Sequence, residues 1–167
     1  MHRKPDIGFI PTPPNVIDAL LGLADLSSKD VVYDLGCGDG RILITAAQRF
    51  GARGVGIDID RDRVQEATHN AQQAGVDNMV HFYQQDLYES TFVDATVVIL
   101  YLLPHLNLKL KPRLLSQLQP GARIISHDFD MGDWQPEATI RIPIEADETA
   151  TLYRWTIPAT NANSAVP

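Results

Sequence analysis

The sequence predicts an α/β fold, a doubly wound parallel sheet finished by an antiparallel hairpin. Three observations lead there. Strand-like apolar runs alternate with helical patterns between residues 31 and 127. The stretch VVYDLGCGDGRI, residues 31–42, runs from a strand through a glycine turn into a helix, a connection that aims backbone amides at a ligand. After Trp134 the alternation stops, and two strand patterns, TIRIPI and ATLYRWTI, follow with only the hairpin loop EADETA to join them.

The elements follow in order. PTPPNVIDALLGLADL is the first helix: Thr12 can cap it, Pro13 suits its first turn, and Ile17, Leu20, Leu21 and Ala24 recur at helical spacing. DVVYDL is strand one, and RILITAAQRF the helix after the glycine turn. RGVGIDI is strand two; the next helix starts near Asp60 and ends at Gly75. MVHFYQQ is strand three. ATVVILYL is apolar almost throughout, as a strand buried on both faces should be. A helix is expected over roughly Asn107–Leu118, starting late or bending because Pro112 interrupts it. ARIISHDF is strand five. In the hairpin, Thr139–Ile144 and Thr151–Ile157 should pair at one sheet edge, with Tyr153, Trp155 and Ile157 facing inward.

Composition narrows the function. A chain of 167 residues fits one domain, residues 1–157, with a small polar tail over 158–167 expected to be disordered. The net charge of −7 argues against a broad nucleic-acid footprint, which needs a basic surface, but allows a basic peptide. One cysteine, Cys37, leaves no internal disulfide and no cysteine zinc cluster, so a reducing cytoplasm is the simplest setting. No apolar run is long enough for a membrane span, and the start MHRKPDIGFIPTPP has no apolar signal core. Oligomeric state is not readable.

The ligand of the glycine turn is narrowed by what surrounds it. Gly36, Gly38 and Gly40 give G-x-G-x-G, with Arg41 where a dinucleotide fingerprint has its third glycine, and no P-loop lysine follows. Asp34 stands two residues before the first glycine and can hold a cationic amino group, while the glycine amides can receive a carboxylate. Asp58 ends strand two, where it can accept both hydroxyls of a ribose. Asp86 follows strand three, where it can accept from the exocyclic amine of adenine, with the Leu87 amide facing a ring nitrogen. Three acids beyond neighbouring parallel strands meet in the crevice where such sheets bind ligands, and together they describe amino acid, ribose and adenine. Each has a bland reading too: Asp34 as a loop-ordering residue, Asp58 as a helix cap, Asp86 as a turn residue.

VVYDLGCGDGRI, VGIDID and QQDLYE resemble the first three cofactor motifs of class I S-adenosylmethionine-dependent methyltransferases, over roughly residues 13–157. The resemblance implies a Rossmann-like, seven-stranded α/β sheet with the antiparallel C-terminal hairpin, S-adenosylmethionine as cofactor, and Ile59 beside Asp58 in the cofactor set. GFIPTPPNVIDALL, DLGCGDGRI, LYLLPHLNLKLKP and GARIISHDFDMGDW are similar to the small family 173-like protein-lysine methyltransferases related to mitochondrial enzymes. That similarity implies a protein lysine as methyl acceptor, and an N-terminal segment, residues 1–12, in which Thr12 and Pro11 close over the cofactor's amino-acid end. No membrane anchor of the mitochondrial kind precedes the fold, so a membrane-embedded substrate is not expected.

Tyr101 ends strand four, where acceptor meets methyl group; its alternative is a core aromatic. LYLLP stands there in place of the Asn/Asp-Pro-Pro-Tyr sequence of many amino-group methyltransferases, and no general base is evident. His127, Asp128, Phe129 and Asp130 should flank the methyl group from strand five; with Asp133 they spell a metal-like cluster, read here as a substrate-facing loop. An apolar wall with carboxylates suits a lysine, whose stem packs on aromatic surface while its ammonium meets acid. A small-metabolite methyltransferase and a non-catalytic nucleotide-binding module are the alternatives.

Overall fold

The computed structural model describes residues 11–145 and 147–159. The elements are α1 (Pro14–Ala24), β1 (Val31–Leu35), α2 (Arg41–Phe50), β2 (Arg53–Asp58), α3 (Arg61–Gln73), β3 (Val80–Gln84), a 3₁₀ turn (Leu87–Glu89), β4 (Val97–Leu100), α4 (Pro104–Gln117), β5 (Arg123–His127), β6 (Ala138–Pro143) and β7 (Thr149–Thr156). They build one seven-stranded sheet in the order β3-β2-β1-β4-β5-β7-β6. Strands β1 to β5 are parallel, and β7 runs antiparallel to β5 and β6.

Alternation along each strand feeds two apolar layers. Val32, Ile99, Ile125 and Leu152 pack with α1, α2 and α3 on one face. Tyr33, Leu35, Leu100, Ile124 and Trp155 pack with α4 on the other. All four residues of β4 are buried, because helices cover it on both faces. The strand order reverses between β1 and β4, so the loops leaving these two strands diverge and open a crevice at their carboxyl ends.

Two expectations are corrected. Thr12 does not cap α1: Pro13 holds that position, and no side chain bonds to the helix end. The fourth helix starts at Pro104, not near Asn107, and continues through Pro112. Pro104 suits a first turn, and Pro112 lies on the exposed face, where its ring meets no packed neighbour and the carbonyl one turn back can turn to solvent. The hairpin pairs antiparallel and closes one sheet edge as expected, with β7 inside the sheet and β6 at the border. Both faces of β7 are therefore packed: Trp155 on one, Ala150 and Leu152 on the other. Residues 1–10 of the expected N-terminal segment over 1–12, and residues 160–167 of the expected tail over 158–167, lie outside the described residues.

Candidate active site

The glycine turn leaves β1 at the switch point. Gly36, Gly38 and Gly40 all have positive φ, 95°, 55° and 84°. A Cβ on Gly36 would meet nothing within 4 Å, so its outer side is open. A Cβ on Gly40 would lie 2.8 Å from the Phe82 ring, so that glycine serves close packing of α2 on the sheet. The amides of all three are satisfied within the protein: Gly36 donates to the Ile57 carbonyl (2.7 Å), Gly40 to the Cys37 carbonyl (3.0 Å) and Gly38 to Asp58 Oδ2 (3.0 Å). These three amides are therefore already engaged inside the protein, and the positive φ values of the glycines let the backbone lie close to the crevice.

Asp34 sits beneath this turn, in register with Gly56 on β2 and Ile99 on β4. It is 4% exposed. Burial, with the charges of Asp58 and Asp39 adding to it, pushes its carboxyl up to about 7. A buried carboxylate among acids is arranged for a cation. The same surroundings push the Cys37 thiol up, burial first, so it is no thiolate nucleophile.

Asp58 closes β2. Its Oδ2 accepts from Gly38, and its Oδ1 from the Asp60 amide (2.9 Å). Each oxygen keeps a further lone pair, so the carboxylate can still accept from hydroxyls. Burial raises its pKa. Asp60, in turn, caps α3 by accepting from the Asp62 amide. Ile59, between them, is half-buried, and its carbonyl accepts from Gln84 Nε2 (3.4 Å). Asp86 caps the 3₁₀ turn through the Tyr88 amide (3.0 Å), so its turn role is present alongside its place beyond β3. Within the described residues the Leu87 amide at the start of that turn has no backbone acceptor.

Thr12 is buried, and its carbonyl accepts from Arg41 Nη1 (3.2 Å). Arg41 also chelates Asp39 through Nε and Nη2. The chain leading into α1 is thereby tied to the glycine turn by the residue that replaces the fingerprint's third glycine, a role sequence reading did not assign.

The other wall of the crevice comes from β4 and β5. The Tyr101 and His127 rings stack with centroids 4.0 Å apart and an interplanar angle of 26°, and Phe129 lies 6.1 Å from Tyr101. His127 is buried; its Nδ1 has no partner among the described residues, and its Nε2 lies 3.6 Å from Asp128 Oδ2. Burial lowers the His127 pKa, against the smaller pull of Asp128, and so favours neutral imidazole. Burial also raises the Tyr101 pKa, so its hydroxyl stays protonated. Among the described residues no group of three or more His, Cys, Asp or Glu side chains is placed to hold a metal ion. Asn107, wholly buried on α4, reaches the same turn and was not singled out from sequence. Its signal was a polar residue on the stripe otherwise made by Leu103, Leu110 and Leu114.

A switch-point crevice of this sheet order, with Asp34 near the end of β1, Asp58 closing β2 and Asp86 just past β3, has the layout of a Rossmann-like S-adenosylmethionine-dependent methyltransferase. The comparisons agree. A family model, the ANTKMT methyltransferase domain, matches residues 34–138. A protein-lysine N-methyltransferase of Saccharolobus islandicus is 38% identical over 158 residues, 94% of this chain and 98% of its own. The adenine nucleotide translocase lysine N-methyltransferase of Mus musculus is 33% identical over 109 residues, 65% of this chain and 48% of its own. The crystal structure of an RNA methyltransferase from Salinibacter ruber, in complex with S-adenosyl-L-homocysteine, is 52% identical, with a TM-score of 0.84 over 93% of this chain and 98% of its own. The chain belongs to the ANTKMT methyltransferase domain family. It is an enzyme, and its cofactor is S-adenosylmethionine.

Proposed function

We propose that the protein transfers a methyl group from S-adenosylmethionine to the side-chain amine of a lysine in a protein. The observation that carries this reading is the mouth between β4 and β5, where stacked Tyr101 and His127 meet the partly exposed Asp128 carboxylate. A lysine stem packs on such rings, and its ammonium is drawn to the carboxylate. Relatives named for lysine methylation support it.

The residues present fit the cofactor. Asp34 is a buried carboxylate with a cation-seeking environment, and Gly36 leaves open space beside it. In this reading Asp34 holds the amino group of the amino-acid end, with Thr12 covering that end. Asp58 and the adjoining Ile59 hold the ribose, and Asp86 with the Leu87 amide holds the adenine. Gly36, Gly38 and Gly40 let the backbone approach closely. When bound, S-adenosylmethionine supplies a methyl group already activated on a sulfonium.

The chain's own residues then have a modest task. Tyr101 and Phe129 align the lysine stem and exclude water, and positioning of this kind can supply roughly 7–11 kcal/mol of the barrier. Neutral His127 leaves the Asp128 charge unopposed, so the ammonium enters without repulsion. Asp128 draws the ammonium in, and the amine passes its proton to that carboxylate or to solvent before its lone pair meets the methyl group, a loss the apolar wall favours by disfavouring the charged form. A cytoplasmic setting accords with the single, buried Cys37, and no helix among the described residues is long and apolar enough to cross a membrane.

RNA is the second reading, favoured by the name of the Salinibacter relative. The net charge of −7 and the carboxylate at the mouth weigh against a polyanion. Labelled S-adenosylmethionine, given with a cell extract separated into protein and RNA fractions, decides between them. Label in protein is expected; label confined to RNA or small molecules overturns the lysine reading.

A further inference from the structure

We propose that Asn107, on α4 and outside both strand-end loops, is a positioning residue for methyl transfer: its buried amide holds the turn after β5 in the shape that faces Tyr101. The proposal rests on the reading of the β4 and β5 ends as the acceptor mouth. Asn107 Nδ2 lies within bonding distance of three acceptors in that turn: Ser126 Oγ (3.3 Å), the Phe129 carbonyl (3.1 Å) and the Asp130 carbonyl (3.1 Å). Ser126 Oγ donates to the same Phe129 carbonyl.

The turn needs restraint. Asp128 has φ of 66°, a conformation that L residues adopt at a cost, and the Phe129 amide donates to the His127 carbonyl (2.9 Å) across only one intervening residue. Strain of this kind persists only where the surroundings over-determine it. From β7, Thr151 grips Asp128: its carbonyl accepts from the Asp128 amide (2.6 Å), and its amide donates to Asp128 Oδ1 (2.9 Å). From α4, Asn107 grips Phe129 and Asp130. His127, stacked under Tyr101, begins the segment held between these two anchors.

Asn107 is also an expensive choice for stability alone. It is wholly buried, and its Oδ1 has no hydrogen-bond partner among the described residues. Its neighbours on the helix stripe are leucines, and a leucine would leave no orphaned oxygen. What leucine would not supply is the pair of N–H donors that fix the turn. Without them Phe129 and Asp128 shift against Tyr101, and a misplacement of about 1 Å can cost about 100-fold in rate.

Asn107→Asp tests this with almost no change of shape. S-adenosylhomocysteine affinity and label transfer into the protein and RNA fractions of a cell extract are measured from about pH 6 to about pH 9. Ionised, the introduced acid has no donor and faces two carbonyls; protonated, it regains one donor. Transfer should fall about 100-fold at the alkaline end, with the deficit shrinking as pH falls, while S-adenosylhomocysteine affinity stays within about twofold of wild type. A general structural defect would lower affinity and transfer together and overturn the proposal. So would transfer at the wild-type rate across the range. If Asn107→Asp does not fold, Ser126→Ala removes a smaller part of the same network and should show the same split between transfer and affinity. Label found only in RNA would defeat the lysine reading, and the positioning role would still be read from the same rates.

Discussion

Asp34 offers a prediction whose size follows from its surroundings. Burial, with the charges of Asp58 and Asp39 adding to it, pushes its carboxyl up to about 7. If it holds the ammonium of the cofactor's amino-acid end, only the ionised form binds. The ionised fraction is about one-tenth at about pH 6 and about nine-tenths at about pH 8, so affinity for S-adenosylhomocysteine should rise about tenfold between them. Binding near pH 6 should release close to one proton. Calorimetry in two buffers of different ionisation enthalpy reads both quantities. Asp34→Asn should bind more weakly and without this pH dependence. The same group acts on stability in the opposite direction. Its pKa in the fold lies above the ordinary 3.8, so the native state holds the proton more tightly than the unfolded chain does. Stability therefore falls as pH rises from about 4 to about 7 and is constant above that. Asp34→Asn should stabilise the cofactor-free protein at about pH 8, by at most about 4 kcal/mol. Wild-type affinity that is flat over this range, or an equal slope in Asp34→Asn, would refute the reasoning.

Asp58→Ala removes two accepting oxygens from the proposed ribose site, and S-adenosylhomocysteine should bind about 1.5–3 kcal/mol more weakly in calorimetry of the folded variant; unchanged affinity would contradict the assignment. Tyr101→Ala should cut methyl transfer far more than S-adenosylhomocysteine affinity, and parallel losses would mean it is a core aromatic after all. Gly40→Ala places a Cβ 2.8 Å from the Phe82 ring at a φ of 84°. Urea unfolding should show a loss of about 2–5 kcal/mol, and a value near zero would contradict the packing argument.

The parallel strands were legible because each is a short apolar run followed by turn chemistry, and the acids at their carboxyl ends because the strand ends fix where such residues stand. The start of α4 was not legible: Pro112 reads as a helix breaker, and only its place on the exposed face of the folded helix makes it tolerable. Thr12 looked like a cap because its side chain suits one, yet its carbonyl is claimed by Arg41, twenty-nine positions away. The glycine amides looked free for a ligand, but Ile57 and Asp58 on the next strand take two of them, a contact that local pattern cannot show. The pairing of Tyr101 with His127 and the grip of Asn107 on the following turn also arise only when β4, β5 and α4 are assembled. The fold and the acids at the strand ends are written in local sequence; the Tyr101–His127 stack and its restraint by Asn107 are written in long-range packing.

The central claim concerns the atom that receives the methyl group. Its most direct test incubates the enzyme and methyl-labelled S-adenosylmethionine with a cell extract, hydrolyses the protein fraction to amino acids, and separates the labelled products. N-methylated lysine is predicted to carry the label, and to be almost lost with Tyr101→Ala. Label only in methylated nucleosides of the RNA fraction, with unlabelled lysine in the protein fraction, would contradict the account.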